Sequence, residues 1–372
     1  MGQERRWDHR RMATDAGTVL PSSVVLRPHH PLLQRASDAV QFGLGQHQGV
    51  EAAGLSPELL RFVRSLTPGE PVTPFDLVQR AVADGCTPEE SLVLLQELFR
   101  QGALLDADLA RRLVIARRAA RVVVEGSGPL FAPVAVGLAV DGVGTLELRT
   151  RGAVSVEDLG TLSISELGLP RGEATAEAIG RVAPRTVVHT EPSPTRPDLV
   201  VFTDLLRPRP ARHQDLLADG VTQLVVRASD GLGLVGPLVL PGRTACLRCL
   251  DLQHSARDAA WPSVAATLVD RSGSGSPATI AATAALAVEQ ALLALDSTVS
   301  ASEPPPVLDA VLELDMRRGD IRRRAWEPHP RCGCGAGHTK GDSDGSTSDG
   351  GRLLGEDQPV GTPATCVTAA ER

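Results

Sequence analysis

The chain has 372 residues, of which 42% are hydrophobic and 22% charged, and its net charge is −7 at pH 7. This composition is typical of globular domains, and the length suits two of them. Lys340 is the only lysine, there is no tyrosine, and the aromatic residues are six phenylalanines and three tryptophans. These counts exclude a lysine-dependent phosphate loop, a Schiff base on a buried amine and an aromatic platform for single-stranded nucleic acid. The acidic balance also argues against nucleic acid as a partner.

Neither a secretory signal nor a membrane span is expected from the sequence. The N-terminal residues are charged and lack an apolar core, so they do not form a secretory signal. The longest apolar stretch, 278–295, contains Glu289 and Gln290 and is predicted to be a packed helix. We therefore expect a cytoplasmic protein without a membrane partner. Residues 1–22 and 335–372 are polar and are expected to be disordered tails.

Residues 23–108 predict a small α+β domain with winged-helix topology. Short strands are expected at 23–26 and 40–44, with a third at 49–55. Three helices follow, because a Ser-Pro or Thr-Pro pair is a helix start signal in which the hydroxyl caps the first turn and proline fills a position that needs no N–H. The pairs are Ser56-Pro57, Thr73-Pro74 and Thr87-Pro88, the last with Glu90 placed to complete a capping box.

Residues 109–334 alternate between strand and helix patterns, which predicts a doubly wound, mostly parallel α/β domain of Rossmann type. Strands are expected at 121–125, 144–149, 185–189, 198–202 and 221–226, and helices at 129–141, 173–182, 212–219 and 278–295. A glycine turn, Gly126 to Gly128, joins the first strand to the first helix, where backbone amides can approach a phosphate. Phe131 occupies the place of the usual third glycine, so an ordinary strand-to-helix turn is the alternative.

The cysteines predict a metal site. Cys246 and Cys249 form one pair and Cys332 and Cys334 another, and four thiolates suit a structural zinc ion. His329 or His338 could replace one ligand. The alternatives are unrelated thiols or a redox pair, the latter disfavoured because the first pair is not expected at the start of a helix in a thioredoxin-like unit. No Ser/His/Asp set and no paired carboxylates are found, so no catalytic residue is assigned.

The order of four segments in 119–334 resembles the ThiF/MoeB superfamily of ubiquitin-activating-like adenylating enzymes. The segments are the strand, glycine turn and second strand at 119–149, GLPRGEATAEAIGRVAP around Arg171, DLVVFTD ending at Asp204, and PGRTACLRC with the first cysteine pair. The N-terminal domain resembles PqqD-like peptide-recognition domains. Together they are similar to the actinobacterial partner proteins of YcaO cyclodehydratases, which act in the biosynthesis of azoline-containing peptides and bacteriocins.

The resemblance implies a nucleotide site made by Gly126, Gly128, Arg171 and Asp204, but a degenerate one. Arg171 stands where the family has a phosphate-binding lysine, and arginine keeps the charge without the geometry. Thr150 and Gly152 stand where the family has acids, and Asp158 and its neighbours match the family's polar phosphate contacts poorly. Asp204 matches an aspartate associated with magnesium. Binding of ATP and Mg²⁺ is therefore expected to be weak or lost.

For the N-terminal domain, the resemblance implies that a leader peptide adds a strand to the small sheet and packs on the third helix. The expected contacts are Val50, Ala52, Val93, Leu94 and Glu97. The leading hypothesis is a leader-peptide-binding scaffold that presents its peptide to a YcaO-like enzyme, with a homodimer implied by the family. The alternatives are an ATP-dependent adenylyltransferase and a winged-helix regulatory protein. The latter is disfavoured because helix 87–102 is acidic.

Overall fold

The computed structural model describes residues 6–8, 18–28, 30–44, 49–300 and 304–336. Almost all of the expected C-terminal tail, together with His338 and Cys366, lies outside these residues. The N-terminal unit contains seven short strands and three helices within its described part. They are β1 (Arg6–Asp8), β2 (Val24–Leu26), β3 (Leu32–Ala36), β4 (Ala39–Phe42), β5 (Val50–Ala53), α1 (Pro57–Ser65), β6 (Pro71–Val72), α2 (Pro74–Ala83), α3 (Pro88–Arg100) and β7 (Leu104–Asp106).

The three helix starts lie where the capping signals predict them. The hydroxyls of Ser56, Thr73 and Thr87 accept hydrogen bonds from the first turns of α1, α2 and α3, and each helix has proline among its first residues. Glu90 completes the capping box at Thr87. Each capping hydrogen bond joins residues within one helical turn, so it does not depend on how the rest of the chain folds. The helices bury their apolar faces against the small sheet, with Phe42 and Phe62 fully enclosed.

Two small sheets frame this unit. One has the order β1-β5-β4-β3, in which β5, β4 and β3 are antiparallel and β1 runs parallel to β5. The other is antiparallel, with the order β6-β2-β7. Strand β1 is a correction to the expectation of a disordered N-terminal tail, since Arg6–Asp8 pair with the edge of β5. Backbone groups on an open sheet edge accept a further strand of almost any sequence, which composition alone does not reveal.

Helix α4 (Ala107–Ala119) connects the two units and was not predicted. It begins after Asp106, whose carboxylate caps its first turn, so the expected domain boundary at 108/109 falls inside a helix. Near its other end, Arg117 forms a two-bond ion pair with Asp296 of the long helix of the second unit. The connection is therefore a packed element and not a free linker.

The second unit continues the chain from β8 to the last described strand. Its elements are β8 (Arg121–Glu125), α5 (Phe131–Val140), β9 (Thr145–Arg149), α6 (Arg171–Val182), β10 (Val187–His189), β11 (Leu199–Thr203), α7 (Pro210–Ala218), β12 (Thr222–Ser229), β13 (Leu232–Val239), α8 (Leu247–Arg257), α9 (Trp261–Leu268), α10 (Pro277–Asp296), β14 (Ala310–Asp315) and β15 (Asp320–Ala325), with short 3-10 turns at Val156–Asp158 and Ile164–Glu166.

These strands form one sheet with the order β10-β9-β8-β11-β12-β13-β14-β15. The first five strands are parallel and the last three are antiparallel, so the expected α/β class is confirmed while the antiparallel extension was not predicted. Successive residues of the central strands face opposite sides. One side packs on α5 and α10, and the other on α7 and the start of α8.

Helix α10 is long and apolar enough, by length and composition, to cross a membrane. Most of its apolar window is buried inside the protein, however, against the central strands and α5. Its apolar surface therefore packs in the core, as the sequence predicts for this stretch. One such helix is weak evidence for a membrane protein.

Candidate functional site

The glycine turn between β8 and α5 packs directly on the end of β11. A Cβ on Gly126 would lie 2.1 Å from the carbonyl oxygen of Thr203, and one on Gly128 would lie 2.6 Å from Cγ of Asp204. Both distances are shorter than any real contact, so only glycine fits at either position. The glycines are therefore explained by close packing against β11, without a phosphate.

Asp204 follows β11 and points into the start of α5. Its carboxylate accepts hydrogen bonds from the backbone amides of Gly128, at 3.1 Å, and Leu130, at 2.8 Å. The residue is fully buried and lies in the left-handed region at φ 67°. Burial raises the pKa of Asp204 to about 6, although these two amides and the nearby Arg171 lower it in part. Two amides that could face a phosphate at this helix start are thus already used by the protein itself.

Arg171 is a second buried charged residue that contacts the glycine turn. Its guanidinium makes two hydrogen bonds of 3.1 Å to the carboxylate of Asp158, and both side chains are buried. The same guanidinium donates to the backbone carbonyls of Ser127 and Arg151. Arg171 therefore ties the glycine turn to the loop after β9, and its charge is neutralised by Asp158.

A cavity of about 660 Å³ opens at the ends of β8, β9 and β11, beside this turn. Four arginines and two acids line it, which leaves two positive charges in excess. The lining arginines are Arg149, Arg151, Arg209 and Arg212, and the acids are Glu125 and Asp270. Arg149 and Arg212 share Glu125, and Arg209 pairs with Asp270. The buried hydroxyl of Thr150, also on the wall, has no hydrogen-bond partner among the described residues.

The cavity has the volume of a small-molecule site, and the predicted phosphate contacts beside it already have partners within the protein. Gly128 and Leu130 give their amides to Asp204, and Arg171 is held by Asp158. Thr150 was named from the sequence, but the surrounding arginines were not assigned to a site. Arg149 and Arg151 flank Thr150 directly, which was a readable signal, whereas Arg209 and Arg212 reach the cavity from the loop before α7 and from α7 itself.

The four predicted metal ligands come together at one point. The sulfur atoms of Cys246, Cys249, Cys332 and Cys334 all lie within 4.8 Å of one another. The sulfur distances are 3.6 Å between Cys246 and Cys332, 3.6 Å between Cys249 and Cys334, and 3.9 Å between Cys246 and Cys249. Tetrahedral zinc bound by thiolates at about 2.3 Å places sulfurs about 3.8 Å apart. The cluster could therefore hold a metal ion, and these distances are too long for disulfides.

Two details of this cluster differ from the sequence reading. Helix α8 begins directly after Cys246, so the first cysteine pair does sit at a helix start, contrary to the expectation used against a redox pair. The opposing cysteines nevertheless lie close enough to complete a four-sulfur set. His329 is not a member of this set, and its Nδ1 accepts a hydrogen bond from the amide of Arg331.

The residues predicted to bind a peptide lie on β5 and α3. Val50 and Ala52 are buried in the small core, while the backbone of β5 pairs with β1. Val93 is half-buried on α3, and Glu97 is held by Arg100. Leu94 is fully buried in the same core as Val50 and Ala52, so its side chain does not reach the surface of the folded domain.

Comparison with known proteins identifies the fold. No protein-family model matches the sequence, and neither does any curated protein. Among solved structures, the chain is similar to MccB of E. coli with ATP, with a TM-score of 0.63 at 13% identity, over 84% of this chain and 99% of MccB. The microcin C7 biosynthetic enzyme MccB in complex with N-formylated MccA gives the same values. PaaA matches with a TM-score of 0.55 at 13% identity, over 80% and 99% of the two chains. The fold is therefore the ThiF-like α/β fold with an N-terminal extension, as the resemblance implied.

Proposed function

We propose that this protein binds a ribosomally made precursor peptide through its N-terminal unit and presents it to a separate modifying enzyme. The observation that carries the proposal is the edge of β5, which pairs with an added strand, β1, through its backbone. A leader peptide would use the same edge by β-augmentation, in which the main chain supplies affinity and side chains supply specificity.

A further observation supports a peptide as the partner. The structurally similar MccB forms a complex with N-formylated MccA, and this chain covers 99% of that MccB chain. On helix α3, we assign the contacts with the incoming strand to the half-buried Val93 and to Glu97, whose carboxylate is paired with Arg100 in the absence of a peptide. A YcaO-type enzyme as the recipient, a homodimer and a cytoplasmic location belong to the same proposal, on the strength of the sequence resemblance.

The test is calorimetric titration of the co-encoded precursor peptide into the full chain and two matched variants. Val93→Asp places a charge on the proposed peptide contact, and we expect binding at least tenfold weaker. Leu92→Asp introduces the same charge at the adjacent, exposed position on α3 and should leave binding unchanged. Equal affinities for all three proteins, or no binding to any of them, would overturn the proposal, provided that thermal unfolding shows the variants folded.

The cysteine cluster is proposed to hold one structural zinc ion. It joins the end of β13 and the start of α8 to the segment after β15, within a small core that includes Trp326. Metal analysis of protein purified without chelators should find about one zinc per chain. Cys249→Ser should lower this value toward zero, whereas Cys366→Ser should not change it. A metal content that is independent of Cys249 would contradict the assignment.

The second candidate function is an ATP-dependent adenylyltransferase, and the arginine-lined cavity favours it. Four arginines beside the glycine turn could neutralise phosphate charge in place of a lysine. ATP–pyrophosphate exchange with the peptide present separates the two functions. We expect no exchange above the protein-free blank. Exchange that is lost in Arg149→Ala and kept in Arg322→Ala, an arginine on the distant strand β15, would establish the enzyme instead.

A further inference from the structure

A second cavity, of about 290 Å³, lies between β12, α7, α8 and α9. It shares no lining residue with the arginine-lined cavity at the glycine turn. Its walls are mostly apolar on one side, with Leu206 and Leu268, and aromatic on another, where Trp261 stacks on His254 at 4.3 Å between ring centres. The volume suits one compact ligand and is at the lower limit of small-molecule sites.

The charges on the wall do not balance. Three arginines, Arg207, Arg227 and Arg248, face a single acid, Asp251. Asp251 is already engaged, since it binds Arg207 through both oxygens and accepts a hydrogen bond from the indole of Trp261. The cavity therefore has two positive charges in excess, and neither is compensated by the acid that lines it.

Arg227 is the cation that most clearly lacks a counterion. It lies on β12 on the same face as Val225, is half-buried, and has no hydrogen-bond or ion-pair partner in the part of the chain that the structure describes. The acid that influences it electrostatically, Glu313, is itself paired with Arg324 at 2.8 Å. An arginine that lines a cavity and has no acceptor among the described residues can offer its guanidinium to an anion in that cavity.

His213 supplies an independent observation. It is 3% exposed, and its Nδ1 lies 2.7 Å from Oε1 of Gln223, whose amide group donates to the backbone carbonyl of His213. This orientation of Gln223 places the ring proton on Nδ1 and leaves Nε2 as an acceptor. Nε2 is buried without a partner among the described residues, and burial lowers the pKa of His213, which keeps the ring neutral. A ligand N–H or O–H would satisfy it.

We propose that this cavity binds a small carboxylate that carries an apolar or aromatic body and one N–H or O–H donor. The carboxylate pairs with Arg227, the donor faces Nε2 of His213, and the apolar body lies between Trp261 and Leu206. N-acylated apolar amino acids have these three features in one compact molecule. The proposed ligand contacts neither the peptide edge at β5 nor the glycine turn. The result of its test is therefore independent of the proposed function.

The test is calorimetry of the full chain with N-acetyl-L-leucine, N-acetyl-L-phenylalanine and N-acetyl-L-tryptophan, each compared with its neutral C-terminal amide. At least one acid should bind saturably and at least tenfold more tightly than its amide. Arg227→Met should weaken that acid at least tenfold, whereas Arg61→Met, which removes an exposed arginine on α1 outside the cavity, should not. The acid–amide comparison on the unaltered protein remains decisive if Arg227→Met does not fold. Equal binding of acid and amide, no binding of any acid at millimolar concentration, or full affinity in a folded Arg227→Met would overturn the proposal.

Discussion

At the scale of single residues, the positions expected to contact a nucleotide make contacts within the protein. Gly126 and Gly128 permit close packing on β11, Asp204 caps the start of α5, and Arg171 pairs with Asp158. Each of these roles can be tested by its effect on the free energy of unfolding, without any ligand.

The first residue prediction concerns Arg171. Replacing it by alanine leaves the fully buried carboxylate of Asp158 without its cation, and such losses cost about 3 to 5 kcal/mol of stability. Arg322→Ala removes an arginine from an exposed pair with Asp320 that solvent screens, and it should cost much less stability. Urea unfolding of the three proteins measures both values. Similar, small losses in both variants would show that Arg171 does not hold the glycine turn.

The second residue prediction concerns the pH dependence produced by Asp204. Its pKa is raised from 3.8 to about 6 in the folded protein, so the folded state binds a proton more tightly than the unfolded state does. Stability must then fall as the pH rises through this interval. Relative to Asp204→Asn, the unaltered protein should therefore lose stability between pH 4.5 and pH 7. Urea unfolding of both proteins across this pH range measures the difference between their free energies of unfolding. A difference that does not vary with pH would contradict the prediction.

At the scale of elements, local signals in the sequence predicted more than long-range ones. The starts of α1, α2 and α3 follow from Ser-Pro and Thr-Pro pairs that act within one turn. Strands β12 and β13 and strands β14 and β15 form local hairpins, but β13 pairs with β14 across a long stretch of chain, and an alternating pattern does not name such a partner. Helix α4 was missed because it has no fully buried residue and thus only a weak apolar face.

For the candidate sites, too, residues that are close in the sequence were easier to predict than residues brought together by folding. The cysteine cluster was predictable because four thiols of one type appear in two close pairs. The cavity beside the glycine turn was predictable only in part, because Arg149 and Arg151 flank Thr150 in the sequence while Arg209 and Arg212 come from a separate segment that only the folded chain brings to it. The pair between Arg171 and Asp158 was hidden for the same reason, since the residues match no short motif.

The element prediction concerns β1. If a peptide uses the edge of β5, strand β1 competes with it, so a chain that starts at residue 18 should bind the precursor peptide more tightly. Two net backbone hydrogen bonds of about 1 kcal/mol each would make the gain up to about thirtyfold. Calorimetry of the full and shortened chains measures the ratio. Weaker binding by the shortened chain would show that β1 contributes to the peptide site and does not occupy it.

At the scale of the whole molecule, the two units are joined by packed structure. Helix α4 leads from the small sheets to β8, and Arg117 near its end pairs with Asp296 of α10. A peptide bound at β5 is therefore carried on a body that includes the ThiF-like sheet and the cysteine cluster. This packed connection would hold a peptide bound at β5 in a fixed position relative to the ThiF-like sheet, as the proposed function requires.

The most direct test of this account is titration of the precursor peptide into the full chain, first without nucleotide and then with saturating ATP and Mg²⁺. We predict the same dissociation constant in both conditions, within about twofold, because the phosphate contacts at Gly128, Leu130 and Arg171 are used within the protein. Binding that appears only with ATP, or that tightens at least tenfold with it, would contradict the account.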